Sequence, residues 1–201
     1  MKKITVLTCA ALISLGLPFG IALADVQAIA DKCDNCHGKD GNSEDGKVPN
    51  IAGMSAIYLT DTLNAYVAGD RKGVKYKPKD GDESDMETIA KKLSEADIDG
   101  LAKHYAGKQF ATHVQEVDAD LAAKGKKIFD KDCEKCHSEF GTVADDDAGI
   151  LLGQWKPYLK EQFEFFTDGS RTMSKKMAKK FEKLDDEAKA AIIEFLAGGT
   201  K

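Results

Sequence analysis

The sequence predicts an all-α protein made of two tandem units. Apolar residues recur at helical spacing along the chain, and no stretch sustains the alternation of apolar and polar residues that indicates a β-strand. The chain also aligns with itself at an offset of 100 positions, with residues 33–71 on residues 133–171. Each copy contains the pentapeptide Cys-x-x-Cys-His, at 33–37 and again at 133–137. The fold is therefore expected to be one small helical unit that is present twice.

Residues 1–24 are predicted to be an export signal that is cleaved from the mature chain. Two lysines precede an apolar run over 4–19, and the small residues Ala22 and Ala24 suit signal-peptidase cleavage before Asp25. Glycine and proline interrupt the apolar run, which is too short to predict a membrane span. The mature chain is therefore expected to be periplasmic and to have no transmembrane segment.

The charge composition excludes one class of partner. The chain has 34 acidic and 29 basic residues, which give a formal net charge of −5. Nucleic-acid binding needs a basic field that neutralises phosphates. No nucleic-acid partner is therefore expected.

Each unit is predicted to contain several short helices around a small core. In the first unit (25–110), Ser94 is a candidate N-cap for a helix whose apolar stripe, at i, i+3, i+4 and i+7, ends at Gly107. The second unit (119–201) repeats the pattern, and residues 111–118 between them are expected to be a linker. Because a unit of about 85 residues buries little apolar surface, it is expected to need a cofactor, metal or disulfide as additional core.

The two copies differ in the length of one loop. After Arg71 and Arg171 the offset falls from 100 to 91, so the first copy has nine extra residues before its methionine. The excess lies in a charged segment, 72–85, that contains four lysines and four acidic residues. Such segments are usually solvated loops. The alternative is a docking loop whose charges steer a protein partner.

The pentapeptides predict haem attachment. In c-type cytochromes the two thiols form thioether bonds to the vinyl groups of one haem, and the adjacent histidine binds its iron. Structural zinc needs four ligands, whereas each pentapeptide supplies three; thiol–disulfide exchange favours a strand-turn-helix setting that is not predicted here. Two covalently bound haem c groups are therefore predicted. The residues assigned to them are Cys33, Cys36, His37, Cys133, Cys136 and His137.

The second axial ligand decides between an electron carrier and an enzyme. A methionine there raises the reduction potential and suits electron transfer, whereas an open position suits the activation of small molecules. The repeat aligns Met86 with Met177, which are therefore the predicted ligands. Met173 is the competing candidate in the second unit. His104 and His113 are interpreted as helix-face and surface residues, and no catalytic residue is predicted.

Several segments of the chain resemble those of a known family. The segments VPNIAG, MSAIYL and LLGQWKPYL resemble the dihaem cytochrome c4 family, and the segments CEKCHSEFG, GQWKPYL and SRTMSKKMAKKF look like the cytochrome subunit of flavocytochrome c sulfide dehydrogenase. The resemblance implies two tandem class I cytochrome c domains with facing haem edges. It also implies that the Pro49 carbonyl accepts the second ring N–H of His37. The second unit departs from the family here, with Gly149 at the aligned position, whose carbonyl can still accept the bond from a less rigid loop. A helix-crossing glycine is expected at Gly125.

The side chains expected at the interface between the units are hydrogen-bond donors for haem propionates, since buried carboxylates need such partners. They are Tyr58, Tyr158, Trp155, Arg71 and Arg171.

The expected function is electron transfer between redox partner proteins in the periplasm. One possible role is that of the cytochrome subunit of a flavocytochrome c sulfide dehydrogenase, with the flavin on another chain because this one has no Gly-x-Gly-x-x-Gly motif after a strand. The alternative is a free c4-type carrier that reduces a terminal oxidase. A dihaem enzyme, either a peroxidase or a thiosulfate-oxidising cytochrome, is the contrasting class.

Overall fold

A computed structural model describes residues 20–199, and the surroundings of side chains from residue 26 onward. Most of the predicted export signal, residues 1–19, lies outside the described residues. The all-α prediction is confirmed, since the described range contains helices, short 3-10 turns and two isolated β-bridges but no strand. No helix in that range has both the length and the apolar character needed to cross a bilayer. The helices are α1 (Gly20–His37), α2 (Ala56–Ala68), α3 (Met86–Ala90), α4 (Glu95–Ala106), α5 (Ala119–Asp132), α6 (Ser138–Gly141), α7 (Lys156–Asp168), α8 (Lys175–Phe181) and α9 (Asp186–Gly198).

Side chains fix the helix ends where the sequence predicts them. Ser94 caps α4 through a capping box, in which its Oγ accepts the Asp97 N–H at 3.2 Å and the Asp97 carboxylate accepts the Ser94 N–H at 2.9 Å. The helix stops at Gly107, as predicted. In the second unit Asp118 and Asp185 cap α5 and α9 in the same way, each accepting a backbone N–H three residues on.

The predicted apolar stripes form the core of each unit. On α4, Ile98, Leu101, Ala102 and Tyr105 are all buried. The Tyr105 hydroxyl donates to the carbonyl of Ala30 on α1 at 3.1 Å, which anchors α4 against the helix that carries the first pentapeptide. The corresponding buried residues of α9 are Ala191, Ile192 and Phe195.

A glycine permits the close helix crossing in each unit, but the two glycines are on different helices. A Cβ on Gly125 of α5 would lie 1.9 Å from the carbonyl oxygen of Ala191 on α9, so only glycine fits there. In the first unit the glycine is Gly100 on α4, where a Cβ would lie 2.5 Å from Val26 on α1. The prediction for Gly125 is confirmed, and the role of Gly100 was not anticipated.

The two units contact each other directly. The backbones of Arg71 and Arg171 form an antiparallel β-bridge, and the Tyr158 N–H donates to the Gly46 carbonyl at 3.0 Å. The predicted linker at 111–118 has no regular secondary structure.

A buried amide pair joins the units a few residues away. Gln154 Nε2 donates to the Asn50 carbonyl at 2.9 Å, and Gln154 Oε1 accepts the Asn50 N–H at 3.0 Å. Asn50 Nδ2 in turn donates to the carbonyl of Ala111 at 2.7 Å, and Gln115 donates to the carbonyl of Gln154 at 3.0 Å. The connecting segment is therefore bonded to both units.

Candidate haem sites at the unit interface

The first pentapeptide lies at the end of α1 and opens into a large cavity. Cys33, Cys36 and His37 line this cavity, whose volume is about 490 Å³. Ligand pockets typically have volumes of roughly 300–1,000 Å³. The structure brings Met86, the first residue of α3, to the same cavity. Its apolar wall is formed by residues of α2 and α4, among them Leu59, Leu63, Tyr66, Leu101 and Tyr105.

His37 has the geometry of a prepared metal ligand. Its ring is buried, and Nδ1 lies 2.9 Å from the Pro49 carbonyl, which confirms the prediction for Pro49. Burial lowers the pKa of His37, although the Pro49 carbonyl opposes this effect. With Nδ1–H donated to a carbonyl, the neutral ring presents a lone pair on Nε2, the form that binds a metal.

The second pentapeptide differs in its surroundings. It follows α5, with Cys133 as the C-cap, and burial lowers the pKa of His137. His137 Nδ1 is buried and has no hydrogen-bond partner among the described residues, so the Gly149 carbonyl does not accept the bond that it could have accepted. Gly149 has a φ of 75°, a conformation that proline cannot adopt. Its loop therefore takes a path different from that of Pro49.

The thiols are not activated for exchange chemistry. Burial raises the pKa of Cys33 to about 11 and that of Cys133 to about 11, and it also raises the pKa of Cys36. Redox-active cysteines have lowered pKa values because the thiolate is the nucleophile. Within the described part of the chain, none of the four pentapeptide thiols forms a disulfide. Their surroundings suit attachment to an apolar group better than thiol–disulfide exchange.

The two candidate methionines of the second unit, Met173 and Met177, lie in different surroundings. Met173 lines a second cavity of about 330 Å³ beside Phe166 and Phe181. Met177 lies inside α8, and its backbone N–H is accepted by the N-cap Ser174. Lys180 of the same helix pairs at 2.7 Å with Asp132, the residue before Cys133, so α8 is held beside the second pentapeptide.

Two arginines meet between the units without a carboxylate. Arg71 is only 4% exposed; its Nη2 donates to the Tyr158 hydroxyl at 2.8 Å and to Gln162 Oε1 at 3.0 Å. Arg171 Nη1 donates to the same oxygen of Gln162 at 2.8 Å. The ion pairs measured within the described range all use lysine. Arg71 Nε is buried and has no hydrogen-bond partner among the residues that the structure describes.

A carboxylate-bearing group would complete this site. Burial alone would raise the pKa of Tyr58, but the charges of Arg171 and Arg71 outweigh it and lower that pKa to about 8. Two close guanidinium groups and an unused buried N–H are favourable surroundings for anionic carboxylates. The apolar cavity, whose lining includes the thiols of Cys33 and Cys36 and the guanidinium of Arg71, therefore fits a flat apolar macrocycle that carries propionates.

Trp155 does not join this site. Its indole N–H donates to the carbonyl of Ser43 at 3.0 Å, and its ring stacks on His113 with 4.1 Å between the ring centroids. Because indole has a single donor, the prediction that Trp155 holds a propionate is wrong. Its contact with Ser43 instead joins the two units.

Comparisons with known proteins agree with this geometry. A family model described as "Cytochrome c" matches residues 23–105, and one described as "Cytochrome C oxidase, cbb3-type, subunit III" matches residues 120–196. The chain is 31% identical over 211 residues to cytochrome c4 of Stutzerimonas stutzeri, covering 92% of this chain and 98% of the relative. It is 29% identical over 184 residues to cytochrome c4 of Pseudomonas aeruginosa, covering 86% of each chain. The structure superposes on reduced recombinant cytochrome c4 from Pseudomonas stutzeri with a TM-score of 0.70, at 26% identity over 88% of this chain and 97% of that one.

Each matched range contains one pentapeptide, at 33–37 and at 133–137. The predicted tandem arrangement of two cytochrome c domains is confirmed, and with it the prediction of two covalently bound haem c groups. The chain belongs to the cytochrome c4 family of dihaem cytochromes.

Proposed function

We propose that this chain is a periplasmic electron carrier that passes one electron per haem between protein partners. The observation that carries the proposal is the first cavity, where two thiols, one imidazole and one thioether converge. Cys33 and Cys36 would attach the haem covalently, and His37 and Met86 would bind its iron. The haem supplies one-electron redox chemistry, and the residues of the chain hold it, tune it and exclude water from it.

In the second unit we assign the same roles by the repeat. Cys133 and Cys136 would attach the haem, and His137 and Met177 would bind its iron. The pair between Lys180 and Asp132, which holds α8 beside the pentapeptide, supports Met177 as the ligand.

Saturated iron coordination favours a carrier over an enzyme. An iron bound by both an imidazole and a thioether would have no coordination position open to a substrate. A dihaem peroxidase or a thiosulfate-oxidising cytochrome needs an exchangeable or unusual ligand. The arrangement around Met86 therefore supports outer-sphere electron transfer.

At the interface, Arg71 and Arg171 would hold propionates, with Tyr58 and Tyr158 as additional donors. The hydrogen bonds from both arginines to Gln162 keep the two guanidinium groups side by side in the absence of a carboxylate. Propionates bound there would bring the edges of the two haems together at the contact between the units.

For the electron acceptor we favour a terminal oxidase. The second unit matches a model for a subunit of cbb3-type oxidase, and the whole chain aligns with free c4 cytochromes. A flavoprotein sulfide dehydrogenase remains the second candidate, because of the segment SRTMSKKMAKKF.

The charged loop 72–85 is held in place by contacts with the rest of the unit, as expected of a docking element. Tyr76 and Ser84 form a β-bridge, and the Tyr76 hydroxyl donates to the Asp45 carboxylate at 2.9 Å. Pro78 is buried, whereas the loop lysines remain exposed. A loop anchored in this way beside the first cavity supports the docking interpretation over a freely solvated segment.

The function is tested on protein purified from the periplasm. A pyridine haemochrome assay of the denatured chain should give two covalently retained haems. The reduced protein should then be oxidised rapidly by membranes that contain a cbb3-type oxidase. A count of one haem or none would end the proposal. Failure to react with the oxidase, together with co-elution and rapid reduction by a sulfide-oxidising flavoprotein, would select the second candidate.

A further inference from the structure

The methionines of the chain differ in how far an oxidant can reach their sulfur atoms. Of the five methionines, all but Met1 lie in the described range. Met54 is only 4% exposed, in the core of the first unit. Met86 and Met177 are the proposed iron ligands, and coordination draws electron density from a sulfur and covers it with the haem. Met173 is partly exposed and is not a proposed ligand, so its sulfur is the accessible one of these four.

Met173 lies beside a cavity that is separate from the second pentapeptide. It belongs to the segment between α7 and α8, where its neighbours Thr172 and Ser174 are exposed. The cavity has a volume of about 330 Å³, and none of the residues that line it belongs to the pentapeptide at 133–137. A water molecule occupies about 30 Å³ in the liquid, and hydrogen peroxide is only slightly larger. A small oxidant can therefore approach the Met173 side chain from this cavity.

We propose that Met173 is a modification site, at which hydrogen peroxide converts the thioether to a sulfoxide. The sulfur attacks one peroxide oxygen, so that an S–O bond forms as the O–O bond breaks. The hydroxide that leaves takes the proton of the sulfur-bound hydroxyl, and water is the second product. The sulfur thus loses two electrons and the peroxide gains two, with no other reactant. This inference rests on the proposed function, since iron coordination is what protects Met86 and Met177.

The product should alter the packing of α8. Met173 shares its cavity with Phe166 of α7 and Phe181 of α8, whose rings pack edge to face with 5.6 Å between their centroids. A thioether packs well against aromatic rings, whereas a sulfoxide is polar and favours water. Oxidation should therefore weaken the apolar packing between α7 and α8. Because α8 carries Met177, heating should then detach this proposed ligand at a lower temperature.

The first experiment locates the oxidation in the haem-loaded protein. The Fe(III) protein is treated with dilute hydrogen peroxide in the presence of a chelator for free iron, and catalase then stops the reaction. Fragment spectra of the proteolytic peptides should place one oxygen on Met173 before Met54, Met86 or Met177 reacts. Oxidation of any of these three as early as Met173, or none at Met173, overturns the proposal. The near-infrared methionine-to-Fe(III) band, recorded before peroxide is added, tests the iron ligands separately.

The second experiment compares two replacements of the same residue. Met173→Gln places a polar group where the sulfoxide would be, whereas Met173→Leu keeps an apolar side chain that peroxide does not oxidise. On heating, part of the methionine band should disappear at a lower temperature in Met173→Gln and in peroxide-treated natural protein than in Met173→Leu. Peroxide should leave the Met173→Leu midpoint unchanged, and a fall there would place the damage at another residue. Equal midpoints for the two variants would refute the effect on α8.

Discussion

Gln154 of the second unit forms two hydrogen bonds with the backbone of Asn50 in the first, one as donor and one as acceptor. Both residues are almost fully buried. The N–H and the carbonyl of Asn50 in the first unit are therefore both satisfied by one side chain of the second unit. It lies close to the Pro49 carbonyl, so the relative position of the units is coupled to the first haem site.

Gln154→Met should therefore destabilise the protein. The substitution leaves the buried N–H and carbonyl of Asn50 without partners, at a cost of about 2–4 kcal/mol in the free energy of unfolding. Guanidinium denaturation of the haem-loaded protein measures it. Gln27→Met is the control, because Gln27 makes only an exposed hydrogen bond to Asp31; it should change the free energy by less than about 0.5 kcal/mol. Equal effects of the two substitutions would show that the buried pair contributes nothing.

Replacing one distal methionine at a time should change the spectrum and the reduction potential of one haem only. Met86→Ala and Met177→Ala should each leave both haems attached, remove half of the near-infrared methionine-to-Fe(III) band and lower the potential of one haem, because the thioether favours Fe(II). Met173→Ala should leave the band unchanged. If Met173→Ala halves the band and Met177→Ala does not, the assignment in the second unit is incorrect.

The interface arginines should raise the potentials of the haems they contact. A buried positive charge disfavours Fe(III), so Arg71→Gln and Arg171→Gln should each lower a potential, with the larger shift for the more buried Arg71. Spectroelectrochemistry gives the shifts. Lys124→Gln, on the exposed surface of α5, is the control for the loss of one positive charge. Potentials that do not respond to either arginine would show that these side chains do not contact propionates.

Gly125→Ala should disrupt the second unit. The new methyl group would lie 1.9 Å from the Ala191 carbonyl, and separating the helices should cost about 3 kcal/mol of the free energy of unfolding. Gly107→Ala is the matched control, since Gly107 has a φ of −79° and a Cβ there would meet only carbonyl oxygens at 3.6 Å and 3.7 Å. Chemical denaturation distinguishes the two. A Gly125→Ala variant as stable as the control would contradict the close crossing.

Charge on the loop 72–85 should control the rate of reaction with the partner. Replacing the exposed lysines Lys75, Lys77 and Lys79 by glutamine should slow electron transfer to the oxidase and reduce its dependence on ionic strength. Stopped-flow kinetics at several salt concentrations measures both. Three exposed lysines on α4 and α5 serve as the control set: Lys103, Lys124 and Lys127. The same loss of rate in both sets would indicate a general charge effect rather than docking by the loop.

Features set by local chemistry could be predicted from the sequence. The capping box at Ser94 and the stop at Gly107 depend on residues within a few positions of each other. The contact between His37 and Pro49 follows from the pentapeptide and the loop that the family shares.

Features that depend on two distant segments could not be predicted. Gly100 lies in the middle of a helix, and its role is visible only when Val26 is packed against it. The bonds of Gln154 to Asn50 join positions 104 residues apart, and no local pattern marks either residue. Trp155 was assigned to the propionates because it is a donor near the interface, but its partner, Ser43, is set by how the units dock. The replacement of the loop proline by Gly149 is visible in the sequence, but the left-handed backbone that redirects its loop is not.

The glycine at the helix crossing is Gly100 on α4 in the first unit but Gly125 on α5 in the second. This difference has a consequence for recombination between the two copies of the repeat. Two copies of one repeat allow unequal recombination, which would join the start of the first copy to the end of the second. The resulting single unit would pack α1 on α9, with Val26 against Ala191 and no glycine on either helix at the crossing. A methyl group at the crossing would hold the two helices farther apart than in either natural unit. We therefore expect a single unit made in this way to be less stable than either natural unit.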